Sequence, residues 1–264
     1  MRLALGLQYD GAAFHGWQTQ ADGQTVQDAV EQALAQLAGA EVPTVCAGRT
    51  DAGVHATYQV VHIEPPVLRP LNAWVRGVNR FLPEAAAVRW AVRVPDSFHA
   101  RFGAVARRYD YWLLNDPVRS PLLARRAGWL ARPLQLEPMR RAAALLVGRH
   151  DFSAFRSAEC QAASPVRELR ELGIERFGNL IRFRLVANAF LHHMVRNLVG
   201  TLVYVGLGRQ PPQWVGEVLR GGDRRAAAPT FAAAGLYLTG VEYDPSFGLP
   251  GPPDEIAPAC GERA

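Results

Sequence analysis

The hydrophobic pattern of this chain changes period in the same order twice, and few folds accept that order. Arg2 to Tyr9 alternates as a strand. Gln24 to Leu37 then carries Val26, Val30, Ala33, Leu34 and Leu37 on one helical face, with Gly39 beyond it as a stop. Val42 to Gly48 and Thr57 to Ile63 read as strands, and Pro65-Pro66 ends the second. Pro70 opens a helix with Leu71, Trp74, Val75, Val78 and Leu82 on one face, and Ala86 to Val94 is a further strand.

This β-α-β-β-α-β order is the split βαβ arrangement of ferredoxin-like domains. A second round follows. Val105 to Leu114 is a strand and Leu136 to Val147 an amphipathic helix. Val166–Arg176 and Leu180–Ala187 flank the hairpin-like turn Gly178-Asn179. Leu191 to Leu207 is apolar nearly all round, which predicts a buried helix. A short helix near Trp214–Leu219 and a closing strand at Leu236–Tyr243 complete the round. The expectation is an α+β fold of two tandem ferredoxin-like lobes, residues 1–95 and 104–243. Their sheets join into a central antiparallel sheet, with a basic cleft between the lobes. Residues 244–264 form a Pro/Gly-rich tail, expected to be loosely ordered.

Composition narrows the class. No run of 18 or more apolar residues is present, so a membrane span is not expected. The start, MRLALGLQYDG, is broken too early by Gln8, Tyr9 and Asp10 for a signal peptide. Cys46, Cys160 and Cys260 are far apart and lack CxxC spacing, which argues against a disulfide framework or a cysteine-rich zinc site and for a reduced, cytoplasmic setting. The net charge is +5, and every one of the 29 basic residues is arginine. GC-driven drift accounts for the missing lysine but not for the clustering. Arg107-Arg108, Arg125-Arg126, Arg140-Arg141 and Arg224-Arg225 are adjacent pairs. Arginine's planar fork suits phosphate, so the balance leans towards nucleic acid.

The most informative segment is AGRTDAGVHA, Ala47 to Ala56. Gly48 and Gly53 bracket the turn-prone Arg49-Thr50-Asp51 between two strands. Such a turn presents a carboxylate to a cleft with a guanidinium beside it; a surface turn in which Asp51 caps backbone amides is the plainer alternative. Arg196 lies on a strongly apolar helix, where a buried arginine needs a partner. Tyr109 sits on an alternating strand and suits packing as readily as function. His192-His193 invites a metal reading, but neighbouring helical residues point about 100° apart and no HExxH accompanies them, so no metal site is expected.

GRTDAGVHA resembles the signature of the tRNA pseudouridine synthase A family. Further matches follow in family order: FHGWQ (Phe14–Gln18), FHARFGAVARRYDY (Phe98–Tyr111), FLHHMVRN (Phe190–Asn197) and GLYL (Gly235–Leu238). Together they cover roughly residues 1–243. The resemblance implies a role for each matched residue. Asp51 corresponds to the catalytic aspartate, Tyr109 to the aromatic residue stacked on the target base, and Arg196 to the arginine paired with the aspartate. Leu236 corresponds to the aliphatic wall of the base pocket, and Arg49 to the arginine implicated in RNA contact and base flipping. It also implies a homodimer acting on tRNA at uridines 38, 39 and 40 of the anticodon stem-loop. No metal or organic cofactor is expected.

Those roles agree with the chemistry of moving uracil from N1 to C5 attachment. An ionised carboxylate either attacks C1′ or removes a C2′ proton, and a cation offsets its desolvation. The detached base needs a stacking ring, worth roughly 1–3 kcal/mol. Arg107 and Arg108, beside Tyr109, are the pair expected at the RNA. The main alternative is a non-catalytic RNA-binding module, against which the set Asp51, Tyr109 and Arg196 counts. A glycosidase using Asp51 would need a second nearby carboxylate, and no motif offers one.

Overall fold

The computed structural model describes residues 1–253, and the fold is α+β. The chain divides into two compact units, residues 1–107 with 237–253, and Arg108–Leu236. The first unit contains β1 (Arg2–Tyr9), α1 (Val26–Ala38), β2 (Val45–Cys46), β3 (His55–Ile63), α2 (Leu71–Phe81) and β4 (Ala86–Val94). β1 pairs antiparallel with both β3 and β4, and β2 pairs antiparallel with β3. The resulting order, β4-β1-β3-β2, is that of a ferredoxin-like sheet.

Local chemistry sets the helix ends. Thr25 caps α1 by accepting from the Asp28 N–H at 3.2 Å, and Gly39 closes it in the left-handed conformation at φ 76°. The buried faces of α1 and α2, led by Val30, Leu34, Trp74 and Val78, match the sequence periodicity. β2 is shorter than the apolar run Val42–Gly48 suggests. The Glu31 carboxylate accepts from both the backbone N and the hydroxyl of Thr44 at 2.8 Å, and so takes a donor the ladder would use.

β5 (Ala106–Asn115) leads into the second unit, which holds β6 (Gly128–Leu130), α3 (Leu136–Ala144), β7 (Gly148–Asp151), β8 (Val166–Phe177), β9 (Leu180–Ala187), α4 (Met194–Gly206) and α5 (Gln213–Gly221). Its strand order is β5-β9-β8-β7, with β6 parallel to β5. β8 and β9 form the expected hairpin. Phe177 lies opposite Leu180, and Gly178 takes φ 56° in the two-residue turn.

Two sequence expectations need correction. The closing strand, β10 (Leu236–Glu242), is not confined to the second lobe: Tyr237 and Leu238 pair in parallel with His55 and Ala56 of the first unit. Part of the expected loose tail is also packed. Pro245–Phe247 forms a 3-10 turn, Phe247 meets the Phe98 ring edge-on at 5.1 Å, and the Tyr58 hydroxyl donates to the Pro250 carbonyl. Cys260 and the rest of the tail, 254–264, lie outside the described residues. Among the described residues, no helix is long and apolar enough to cross a membrane.

Candidate active site

The segment between β2 and β3 carries Arg49, Thr50 and Asp51. Its backbone is held from below by a polar side chain inside an apolar strand. Gln59 of β3 is fully buried, and its Nε2 donates to the Gly48 carbonyl at 2.6 Å and to the Tyr9 hydroxyl at 3.3 Å. The Tyr9 hydroxyl in turn lies 2.9 Å from the Thr50 hydroxyl. The Ala47 N–H donates to the Val60 carbonyl at 2.8 Å, which ties the entry of the loop to the sheet.

The FHGWQ segment holds the loop from the other side. Trp17 N–H donates to the Thr50 carbonyl at 2.9 Å. Gly16 takes φ 92°, and a Cβ there would meet Thr50 O at 2.9 Å and Ala52 N at 3.1 Å. Only glycine permits both that backbone and that approach. Gly11 is equally constrained, since a Cβ would fall 1.9 Å from Val54 O. Its N–H donates to His55 Nδ1 at 3.1 Å, and Tyr237 stacks on that imidazole at 4.5 Å. Two motifs far apart in sequence are therefore one structure. On it Asp51 is half-buried and Arg49 exposed, and the Val54 N–H donates to the Asp51 carbonyl at 3.1 Å.

Arg107 is not where the sequence reading puts it. Its side chain is buried within the first unit and donates to the carbonyls of Ala47 and Ala104 at 3.0 Å and of Arg101 at 2.5 Å. Those three contacts make the guanidinium a brace for the loop entry at Ala47. Arg108, the next residue, is half-buried and belongs to the second unit.

In the second unit Tyr109 of β5 is buried and meets Phe190 edge-on at 5.0 Å. The next side chain, Asp110, accepts a fork from Arg184 of β9, with both distances 2.9 Å. Alternation along the strand puts Tyr109 on the opposite face from that pair. Arg196, in the first turn of α4, is half-buried; its Nε donates to Phe231 O at 2.9 Å, and Phe231 N–H donates back to Arg196 O at 3.2 Å. This exchange fixes the segment that runs on to the buried Leu236.

α4 begins at Met194, not Leu191, because His193 adopts φ 62°, the only positive φ of a non-glycine among the described residues. His192 and His193 therefore precede the helix, with ring centroids 4.0 Å apart. Helical geometry therefore does not set the angle between their side chains. Arg224, of the adjacent pair Arg224-Arg225, turns inward to Asn197 Oδ1 at 3.0 Å and the Ala228 carbonyl at 2.9 Å.

Sequence reasoning missed Gln59, Tyr9 and Thr50 as supports of the loop. The available signal was Gln59 itself, a polar residue in the apolar run TYQVVHI. A buried amide there needs partners.

The comparisons with known proteins fall on these segments. The family model described as tRNA pseudouridine synthase matches residues 7–103 and 142–244. The chain belongs to the tRNA pseudouridine synthase family. A tRNA pseudouridine synthase A of Dechloromonas aromatica is 58% identical over 256 residues, covering 97% of this chain and 98% of the relative. Those of Methylibium petroleiphilum and Herminiimonas arsenicoxydans are 60% identical over 250 residues and 56% over 253. These matches span 95% of this chain and 96% of the first of the two, and 94% and 92% for the second. The matched segments of the tRNA pseudouridine synthase model include Arg49, Asp51, Arg196 and Leu236. Arg107, Arg108 and Tyr109 fall between them.

Proposed function

We propose that this protein isomerises uridine to pseudouridine in the anticodon stem-loop of tRNA, at positions 38 to 40, with Asp51 as the carboxylate that acts on the ribose. The observation that carries the reading is the Asp51 loop. A family-specific segment places a half-buried carboxylate on a turn whose backbone is fixed on both sides. The reaction needs a carboxylate positioned at C1′ or C2′, and it needs the target base out of its stem, which costs a few kcal/mol.

In this reading Tyr109 stacks on the uracil, Leu236 forms an aliphatic wall, and Arg196 is the arginine that pairs with the Asp51 carboxylate. Arg49 and Arg108 meet the RNA. Arg107 acts through the loop instead. The protein works as a cytoplasmic homodimer and uses no metal or organic cofactor. The isomerisation has no net redox change, and proton transfer at C5 is within reach of ordinary acid-base groups.

The test is incubation of the purified protein with uridine-labelled tRNA transcripts carrying uridine at 38, 39 or 40, followed by mapping of pseudouridine. Product confined to those positions is the expected result. Absence of pseudouridine, or its appearance only outside the anticodon arm, overturns the reading.

A further inference from the structure

The loop that carries Asp51 is gripped through its neighbour. Thr50 is buried, and its carbonyl and its hydroxyl are engaged by different elements. Its carbonyl accepts from Trp17 N–H at 2.9 Å, and its hydroxyl lies 2.9 Å from the hydroxyl of Tyr9, on β1. Tyr9 is 3% exposed and accepts from Gln59 Nε2 on β3. The amide, the phenol and the threonine hydroxyl therefore form one continuous buried chain of hydrogen bonds. Gln59 is fixed independently, because the same Nε2 also donates to Gly48 O, two residues before Thr50. Burial strengthens each of these bonds and makes each costly to leave unmade.

We infer that Gln59, Tyr9 and Thr50 are positioning residues for the reaction, a three-member relay that sets where the Asp51 carboxylate stands. The relay makes no contact with substrate. It rests on Asp51 performing the chemistry. Packing alone does not explain it: valine has the shape of Thr50 and phenylalanine that of Tyr9, and either would fill the space without the hydroxyl. The consequence for rate follows from geometry, since a displacement of about 1 Å in a catalytic group lowers turnover on the order of 100-fold.

The test compares Tyr9→Phe, Thr50→Val and Thr50→Ser in single-turnover pseudouridine formation, with tRNA affinity and thermal melting measured on each. Tyr9→Phe and Thr50→Val should slow the chemical step about tenfold or more and leave Kd within about threefold. Thr50→Ser, which keeps the hydroxyl and loses the methyl, should restore the parental rate. The double variant Tyr9→Phe/Thr50→Val should be no slower than the slower single one, because both remove the same bond. Rates within about twofold of the parent for both Tyr9→Phe and Thr50→Val, or Thr50→Ser as slow as Thr50→Val, overturn the relay. If Tyr9→Phe does not fold, the valine-serine contrast at position 50 decides. Asp51→Asn run alongside separates the two levels. An inactive Asp51→Asn beside a fast Tyr9→Phe sinks the relay alone, whereas an active Asp51→Asn sinks the assignment beneath it.

Discussion

Replacing Arg107 with methionine removes the guanidinium and keeps most of the buried stem. Three backbone carbonyls, Ala47, Ala104 and Arg101, lose their donor together. A hydrogen bond to a charged group contributes about 1.5–3 kcal/mol, so the naive sum is about 4.5–9 kcal/mol. Relaxation of the flanking segments lets water reach part of what is lost, since Arg101 is exposed and Ala104 half-buried. Only Ala47 O is fully enclosed, at 2% residue exposure. The expected loss is therefore about 3 kcal/mol, or about 6–12 °C in melting temperature for a chain of this size. Because Ala47 opens the Asp51 loop, turnover should fall as well, about tenfold or more. The slope of log affinity for tRNA against log salt should not change, because no phosphate contact is lost. Thermal melting and a salt titration on one preparation read both quantities. An unchanged melting temperature with a slope reduced by about 0.7–0.9 would place Arg107 at the RNA and refute the brace.

Arg108→Ala should give the converse pattern, a slope flattened by about one contact with little change in melting; an unchanged slope moves the RNA path elsewhere. Gly16→Ala should cost about 1–3 kcal/mol in a denaturant melt, from left-handed strain and the approach to Thr50 O, and should slow turnover; parental values in both would show that the FHGWQ segment yields freely. Burial, reinforced by Arg2 and His99, pushes His62 down to about 4, and its Nδ1 accepts from Ala100 N–H. The unfolded chain takes up that proton near 6.5, so stability is full above that pH and is lost on acidification from about 6.5 to 4. His62→Gln should flatten the melting-temperature curve over that window, and an unchanged acid limb would assign the loss to other groups.

The periodic elements were legible because burial selects residues one face at a time. α1, α2 and the β8–β9 hairpin announce themselves through Val30, Leu34, Trp74, Val78 and the Gly178-Asn179 turn. β6 and β7 did not, being three and four residues long, too short to show a period. The start of α4 was misplaced because Leu191 is buried as a helical residue would be, while the backbone turns at His193. Within the site, the Asp51 turn was visible from its glycines. The inward aim of Arg107 was not, since a strand sequence does not say whether an arginine fork will find carbonyls or solvent. The joining of FHGWQ to the Asp51 loop was equally hidden: it depends on Gly16 and Gly11 lying against backbone that is distant in sequence.

The central claim is that Asp51 does the chemistry. Asn at this position keeps the size of the side chain and its capacity to accept a bond, and removes the charge and the reactive oxygen. Asp51→Asn should therefore abolish pseudouridine formation in a tRNA transcript, with tRNA affinity within several-fold of the parent and melting lowered by no more than a lost turn contact explains, about 0.5–2 kcal/mol. Turnover near the parental rate by that variant would contradict the account.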